Sequence, residues 1–145
     1  MTFTVPGPVM DEINGHGEKS YPEEGAGLIL GLSEGEHREA RQVLPMPNHF
    51  DSDERGRRYR LDPQEILQAE ERAEQLGLEV IGVFHSHPDH PSAPSQTDLD
   101  WAVPWYVYLI TSIEKGAASE TRAWRMLEDH SRMVEEILEI KDGDG

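Results

Sequence analysis

Three short apolar runs constrain this chain more than any other feature: AGLILGL (26–32), LEVIGVFH (78–85) and WYVYLITSI (105–113). None approaches the ~20 apolar residues that a membrane-spanning helix needs. Their length and boundaries suit buried strands. EHREARQVLPM (36–46) reads as the hairpin partner of the first run across SEGE, stopped by Pro45 and Pro47. DPQEILQAEERAEQLGLE is a helix: Asp62 can cap it, Pro63 occupies its first position, Glu65 completes a capping box, and Gly77 marks its stop. Val9, Met10 and Ile13 can share one face of a short opening helix that Gly15 and Gly17 would end. A polar loop is expected at 48–56, and ETRAWRML (120–127) and RMVEEILEI (132–140) supply the last strands. The order helix–strand–strand–helix–strand–strand–strand predicts an α/β (α+β) fold, a mixed sheet with helices packed on it.

At 145 residues the sequence suits one domain over 1–145, and a domain of this size buries roughly 70% of its unfolded surface. The tail, about 141–145, is expected to fray. The chain has no cysteine, which excludes disulfides, iron–sulfur clusters and thiolate zinc sites. A net charge of −16 argues against nucleic acid and anionic membranes as partners. The acids run from Asp11 to Asp144 without collecting on one segment, as on a solvated acidic surface; a basic partner is the other reading. The opening MTFTVPGPVMDE has neither a basic start nor an apolar run, so no secretion signal is expected and a cytoplasmic location is. Oligomeric state leaves no trace in the sequence.

The segment GVFHSHPDHPSAPSQTDLD (82–100) crowds three of the seven histidines with a serine and an aspartate. Alternation along an extended chain points His85 and His87 the same way and Ser86 elsewhere. Two imidazoles so placed can reach one cation at roughly 2.0–2.1 Å. Pro88, Pro91 and Pro94 stiffen the return path. Ser95 is a candidate cap of a following helix, and Asp98 just inside it can supply a third ligand and leave a fourth position open. A structural turn is the competing reading, because Ser followed three residues later by an acid is also an ordinary capping arrangement. His90 breaks the spacing and reads as an exposed loop residue or a partner behind the ligands. A base for proton transfer could come from Glu23 or Glu24, just before the first buried run.

The pattern Glu24, His85-Ser86-His87, seven residues, Ser95 and Asp98 resembles the JAMM (MPN-plus) metallopeptidase family, stand-alone prokaryotic type. Pro22-Glu23-Glu24-Gly25-Ala26-Gly27 is similar to that family's Pro-x-Glu-x-Cys-Gly lead-in, which selects Glu24 over Glu23; Ala26 replaces its non-ligand cysteine. The resemblance covers nearly the whole chain and implies a curved, cytidine-deaminase-like sheet flanked by helices. It implies one Zn²⁺ held by His85, His87 and Asp98, with Glu24 handling the proton of the attacking water and Ser95 donating to the developing oxyanion. The implied substrate is a ubiquitin-like or sulfur-carrier protein cleaved after its C-terminal Gly-Gly, as a peptide or an isopeptide. A zinc hydrolase of another amide and a non-catalytic binding scaffold are the alternatives. The cluster Arg55, Arg57, Arg58 and Arg60 either neutralises Asp51, Asp53 and Glu54 at a strand edge or grips a substrate carboxylate; Arg57, Arg58 and Arg60 are the substrate-binding candidates.

Overall fold

A computed structural model describes residues 1–56 and 58–141. It is a mixed α/β fold in which seven strands form one sheet that closes on itself, in the order β1-β3-β2-β4-β5-β6-β7. The elements are β1 (Thr2–Pro6), α1 (Gly7–Ser20), β2 (Ala26–Glu34), β3 (His37–Met46), α2 (Pro63–Gln75), β4 (Glu79–Pro88), α3 (Gln96–Trp101), β5 (Val107–Glu114), β6 (Ala117–Met126) and β7 (Met133–Lys141). Of the tail expected to fray at about 141–145, Lys141 instead ends β7; the remainder lies outside the described residues, as does Arg57.

All three apolar runs are strands, and the pairing of β2 with β3 is the expected hairpin, turning at Gly35 with φ +59°. The expected element order lacks β1. Its residues Phe3 and Val5 are fully buried, and β1 runs parallel to both β3 and β7. A five-residue strand that closes a sheet by two parallel pairings has no local partner, so no turn beside it announces it.

Two further expectations fail. Helix α1 continues past both glycines to Ser20. A β-carbon at Gly17 would meet Ile113 Cδ1 at 2.9 Å and Ser86 Cβ at 3.2 Å, so this glycine lets the helix approach β4 and β5 rather than ending it. At α2, the Asp62 side chain accepts from the Gln64 N–H as foreseen. Glu65 does not complete a box; its Oε1 meets His49 Nε2 at 2.5 Å instead.

Side chains alternate across the sheet into two cores. Phe3, Val5, Met10, Ile13, Ile29 and Phe84 pack around α1. Leu28, Ala69, Val83, Ala102 and Tyr108 pack on the other face, beneath α2 and α3. Fully burying a Phe or Leu of this kind contributes about 1.5–3 kcal/mol. His85 and His87 follow Val83 at steps of two, so they belong to the α2–α3 face.

Candidate metal centre

β2 and β4 lie side by side and antiparallel, with Ala26 opposite His85. That pairing sets Glu24, two residues before Ala26, beside the histidines. β4 and β5 are parallel, so the chain must cross back from the end of β4 to the start of β5. The crossing carries Pro91, Pro94, Ser95 and α3 over the face on which the histidines stand. In this way Asp98, eleven residues on from His87, comes into contact with both imidazoles.

The geometry is tight. His85 Nε2 and His87 Nε2 are 3.1 Å apart. Asp98 Oδ1 is 3.1 Å from the first and Oδ2 is 3.1 Å from the second. One ligand atom from each of Glu24, His85 and His87 lies within 4.8 Å of the others. Strand β4 runs on through Pro88, so the histidines do not sit where a strand surfaces. His85, His87, Asp98 and Glu24 are only 1%, 4%, 8% and 5% exposed.

The hydrogen bonds around the imidazoles indicate what belongs between them. His87 Nδ1 lies 2.8 Å from the Pro91 carbonyl, which can only accept, so Nδ1 carries the proton. In neutral His87 the Nε2 is then a lone pair facing a carboxylate and a second imidazole, a repulsive arrangement unless a proton or cation lies among them. Donors of a tetrahedral zinc at roughly 2.0–2.1 Å stand about 3.3 Å apart, close to the spacing seen. The donor set and its spacing therefore fit a borderline-soft divalent cation.

Charge is balanced at close range. Burial alone would raise the Asp98 carboxyl, but His85, His87 and the Ser95 N–H hold it well below the usual carboxylate range. Burial lowers His85. Burial would also lower His87, yet its bond to Asp98 and the charges of Asp98 and Glu24 raise it. The Glu24 carboxyl is pushed up to about 8, chiefly by burial, with His87 opposing and Asp98 adding. Among the described residues its buried Oε1 has no hydrogen-bond partner, nor has His85 Nδ1.

Ser95 caps α3: its Oγ accepts from the Asp98 N–H at 3.2 Å and its own N–H donates to Asp98 Oδ2 at 2.8 Å. The capping reading of Ser95 and Asp98 is realised, and the box holds the carboxylate beside both imidazoles. Glu24, His87, His90, Pro91 and Ser95 line a cleft of about 380 Å³. His90 is exposed at its rim.

Several positioning residues escaped the sequence reading. Ser86 points away from the histidines, and its Oγ accepts from the Gly25 N–H at 2.8 Å, locking the backbone behind Glu24. Asn48 Nδ2 donates to the carbonyls of Glu24 (3.1 Å) and Arg58 (2.9 Å), while its Oδ1 accepts from the N–H groups of Phe50 and Arg60. Tyr59 stacks on the His85 ring, with centroids 4.5 Å apart and planes at 28°. Trp124 Nε1 donates to the Ser92 carbonyl and Ser112 Oγ to that of His90, stapling the return path to the sheet. In sequence these residues lie in unrelated segments, so no spacing announces them.

Arg55, Arg58 and Arg60 are not in a strand, and the described residues of 47–62 form none. Arg55 Nε donates to the Phe50 carbonyl, and Arg58 Nε is 3.8 Å from Glu54. Arg58 and Arg60 are exposed on either side of inward-facing Tyr59.

Fold and site together define a hydrolase scaffold in which strand histidines and a helix carboxylate converge beside a buried glutamate. The chain belongs to the family described as prokaryotic homologs of the JAB domain, which matches residues 6–127, and it is a JAMM-type hydrolase. It is 34% identical over 111 residues, 74% of its length and 70% of the relative's, to a probable TtuB-protein conjugate cleaving protease of Thermus thermophilus. It is 44% identical over 83 residues, 57% of its length and 54% of the relative's, to a desampylase of Pyrococcus furiosus. A solution structure of a Desulfitobacterium hafniense protein superposes with TM-score 0.84 at 30% identity, covering 97% of this chain and 93% of the other. No helix among the described residues is long and apolar enough to cross a membrane.

Proposed function

We propose that the chain is a zinc peptidase or isopeptidase acting after the C-terminal Gly-Gly of a ubiquitin-like or sulfur-carrier protein. The observation that carries this reading is the convergence of His85, His87 and Asp98 at 3.1 Å spacings beside a buried Glu24 carboxylate oxygen that has no hydrogen-bond partner among the described residues. Relatives named as conjugate-cleaving protease and desampylase support the substrate class. We place residues 1–145 in one domain, with the curved cytidine-deaminase-like sheet as its frame and the cytoplasm as its location.

In this reading His85, His87 and Asp98 hold one Zn²⁺. Bound there, zinc supplies Lewis-acid activation of water and of the scissile carbonyl. Glu24 takes the proton of the attacking water and returns it to the leaving amine. Its raised affinity for protons, from burial, suits the second task, and a cation nearby favours the charged form needed for the first. Ser95 Oγ accepts from Asp98 N–H, and an accepting hydroxyl keeps its own proton for another bond. That proton stabilises the oxyanion as the glycine carbonyl becomes tetrahedral. The cleft of about 380 Å³ holds Glu24 and Ser95 on one wall system with His87, so base, ligand and oxyanion donor face one volume.

Arg58 and Arg60 bind a substrate carboxylate, and Arg57 extends that cluster in sequence. Charge reversal Arg58→Glu raises KM on an acidic conjugate a few-fold, the usual scale for a rim charge; unchanged Michaelis parameters would remove the assignment. The activity itself is tested by incubating zinc-loaded protein with carriers extended beyond Gly-Gly and reading the released piece by mass spectrometry. Cleavage at Gly-Gly that stops with a chelator and returns with zinc is expected. Intact carriers throughout, or cleavage indifferent to chelator, would sink the reading.

A further inference from the structure

An aromatic ledge lies beside the metal centre and takes no part in holding it. Phe50 stacks on Trp101 with centroids 5.9 Å apart and planes at 22°. The guanidinium groups of Arg58 and Arg60 stand 5.7 and 5.9 Å from the Phe50 centroid. Trp101 is 51% exposed and borders a hollow of about 670 Å³ that also includes His49, Arg60, Leu61, Asp62 and Pro63. A large aromatic side chain left half in water, with arginines stacked nearby, has the composition of an interface hot spot rather than of ordinary surface. The chain as a whole carries −16 and repels acidic proteins; at the ledge Arg58, 3.8 Å from Glu54, and Arg60, beside Asp62 in the hollow, offset that charge.

Distance gives the partner's shape. Helix α3 starts after Ser95 and ends at Trp101, and six helical residues rise about 9 Å. About three extended residues cover that span. A short tail that leaves the cleft between Glu24 and Ser95 along α3 therefore reaches the ledge while still joined to its folded body.

We infer that the Phe50–Trp101 ledge docks the folded body of the carrier protein, at an apolar patch flanked by carboxylates close to the root of its C-terminal tail. This rests on the proposed activity and adds to it a determinant of specificity for a folded carrier over a bare peptide.

The test compares a folded β-grasp carrier extended by one residue beyond Gly-Gly with a short peptide of the same terminal sequence. Trp101→Ala in the zinc-loaded protein lowers kcat/KM on the carrier roughly 10- to 30-fold and leaves the peptide rate unchanged. Trp101→Glu lowers it further, and added salt partly restores it. Equal losses on both substrates, or none on the carrier, overturn the inference. So does a dimer in sedimentation that Trp101→Ala dissociates, because a second copy would then occupy the ledge. Should the wild type cleave neither substrate, the hydrolytic reading fails and docking is judged by calorimetric binding of the carrier to Glu24→Gln. Affinity lost with Trp101→Ala upholds the ledge there, and absence of binding overturns it.

Discussion

The metal centre and the arginine loop sit side by side yet are built on opposite principles. His85, His87 and Asp98 come from a strand and a capped helix, are almost fully buried, and meet at 3.1 Å. Arg58 and Arg60 come from a stretch whose described residues form neither strand nor helix, and they lie exposed. Chemistry that depends on tenths of an ångström needs rotamers locked by packing. Recognition of a partner's surface tolerates side chains that reorient. Asn48 and Tyr59 join the two regions, one tying the loop to the Glu24 backbone and the other laying it on the His85 ring.

If that contrast is right, substitutions inside the buried centre act on rate and those on the loop act on affinity. The largest effect belongs to Glu24→Gln. It lowers kcat by roughly 10²- to 10⁴-fold with zinc content unchanged by metal analysis; near-normal turnover of a zinc-loaded sample would remove Glu24 as the base. Ser95→Ala comes next, at about 10²- to 10³-fold in kcat. It also loses a helix cap of about 1 kcal/mol, visible in the melting curve, and a change confined to stability would leave Ser95 a cap only. Tyr59→Ala uncovers His85 and weakens zinc binding roughly 10- to 100-fold in chelator competition, the scale for groups that orient a ligand, while Tyr59→Phe keeps the ring and the affinity. Equal affinities in all three proteins would break the link between loop and centre.

The smallest effect sharpens the electrostatic side of the comparison. In metal-free protein the Glu24 carboxyl is raised to about 8 from 4.5, so the folded state holds this proton more tightly than the unfolded chain does. Between those two pH values folding becomes less favourable as pH rises. Metal-free Glu24→Gln lacks that penalty: it melts higher than wild type at pH 8 and equally at pH 4, if urea or thermal melts are compared at both.

Much of this was legible in the sequence for one reason: apolar runs and ligand spacings are local. The three apolar runs report their own burial, and the two-residue step between His85 and His87 places both imidazoles on one face whatever the rest of the sheet does. Asp62, Pro63 and Gly77 likewise bounded α2, whose cap bond to Gln64 and positive φ at Gly77 (+72°) are observed. Glycines misled at α1 because propensity reports what a residue does to a free helix, whereas Gly17 is chosen for the contact with Ile113 and Ser86. Strand β1 stayed hidden because both its partners are distant in sequence.

From the sequence alone came the set of ligand-type side chains, their order, and the face of the strand on which two of them stand, since these follow from backbone periodicity. Only the tertiary structure decided that β2 would lie beside β4, that the parallel β4–β5 crossing would lower Asp98 onto both imidazoles, and that Tyr59 and Asn48 would close the site. Those are long-range pairings, set by which faces bury together rather than by any short stretch of chain.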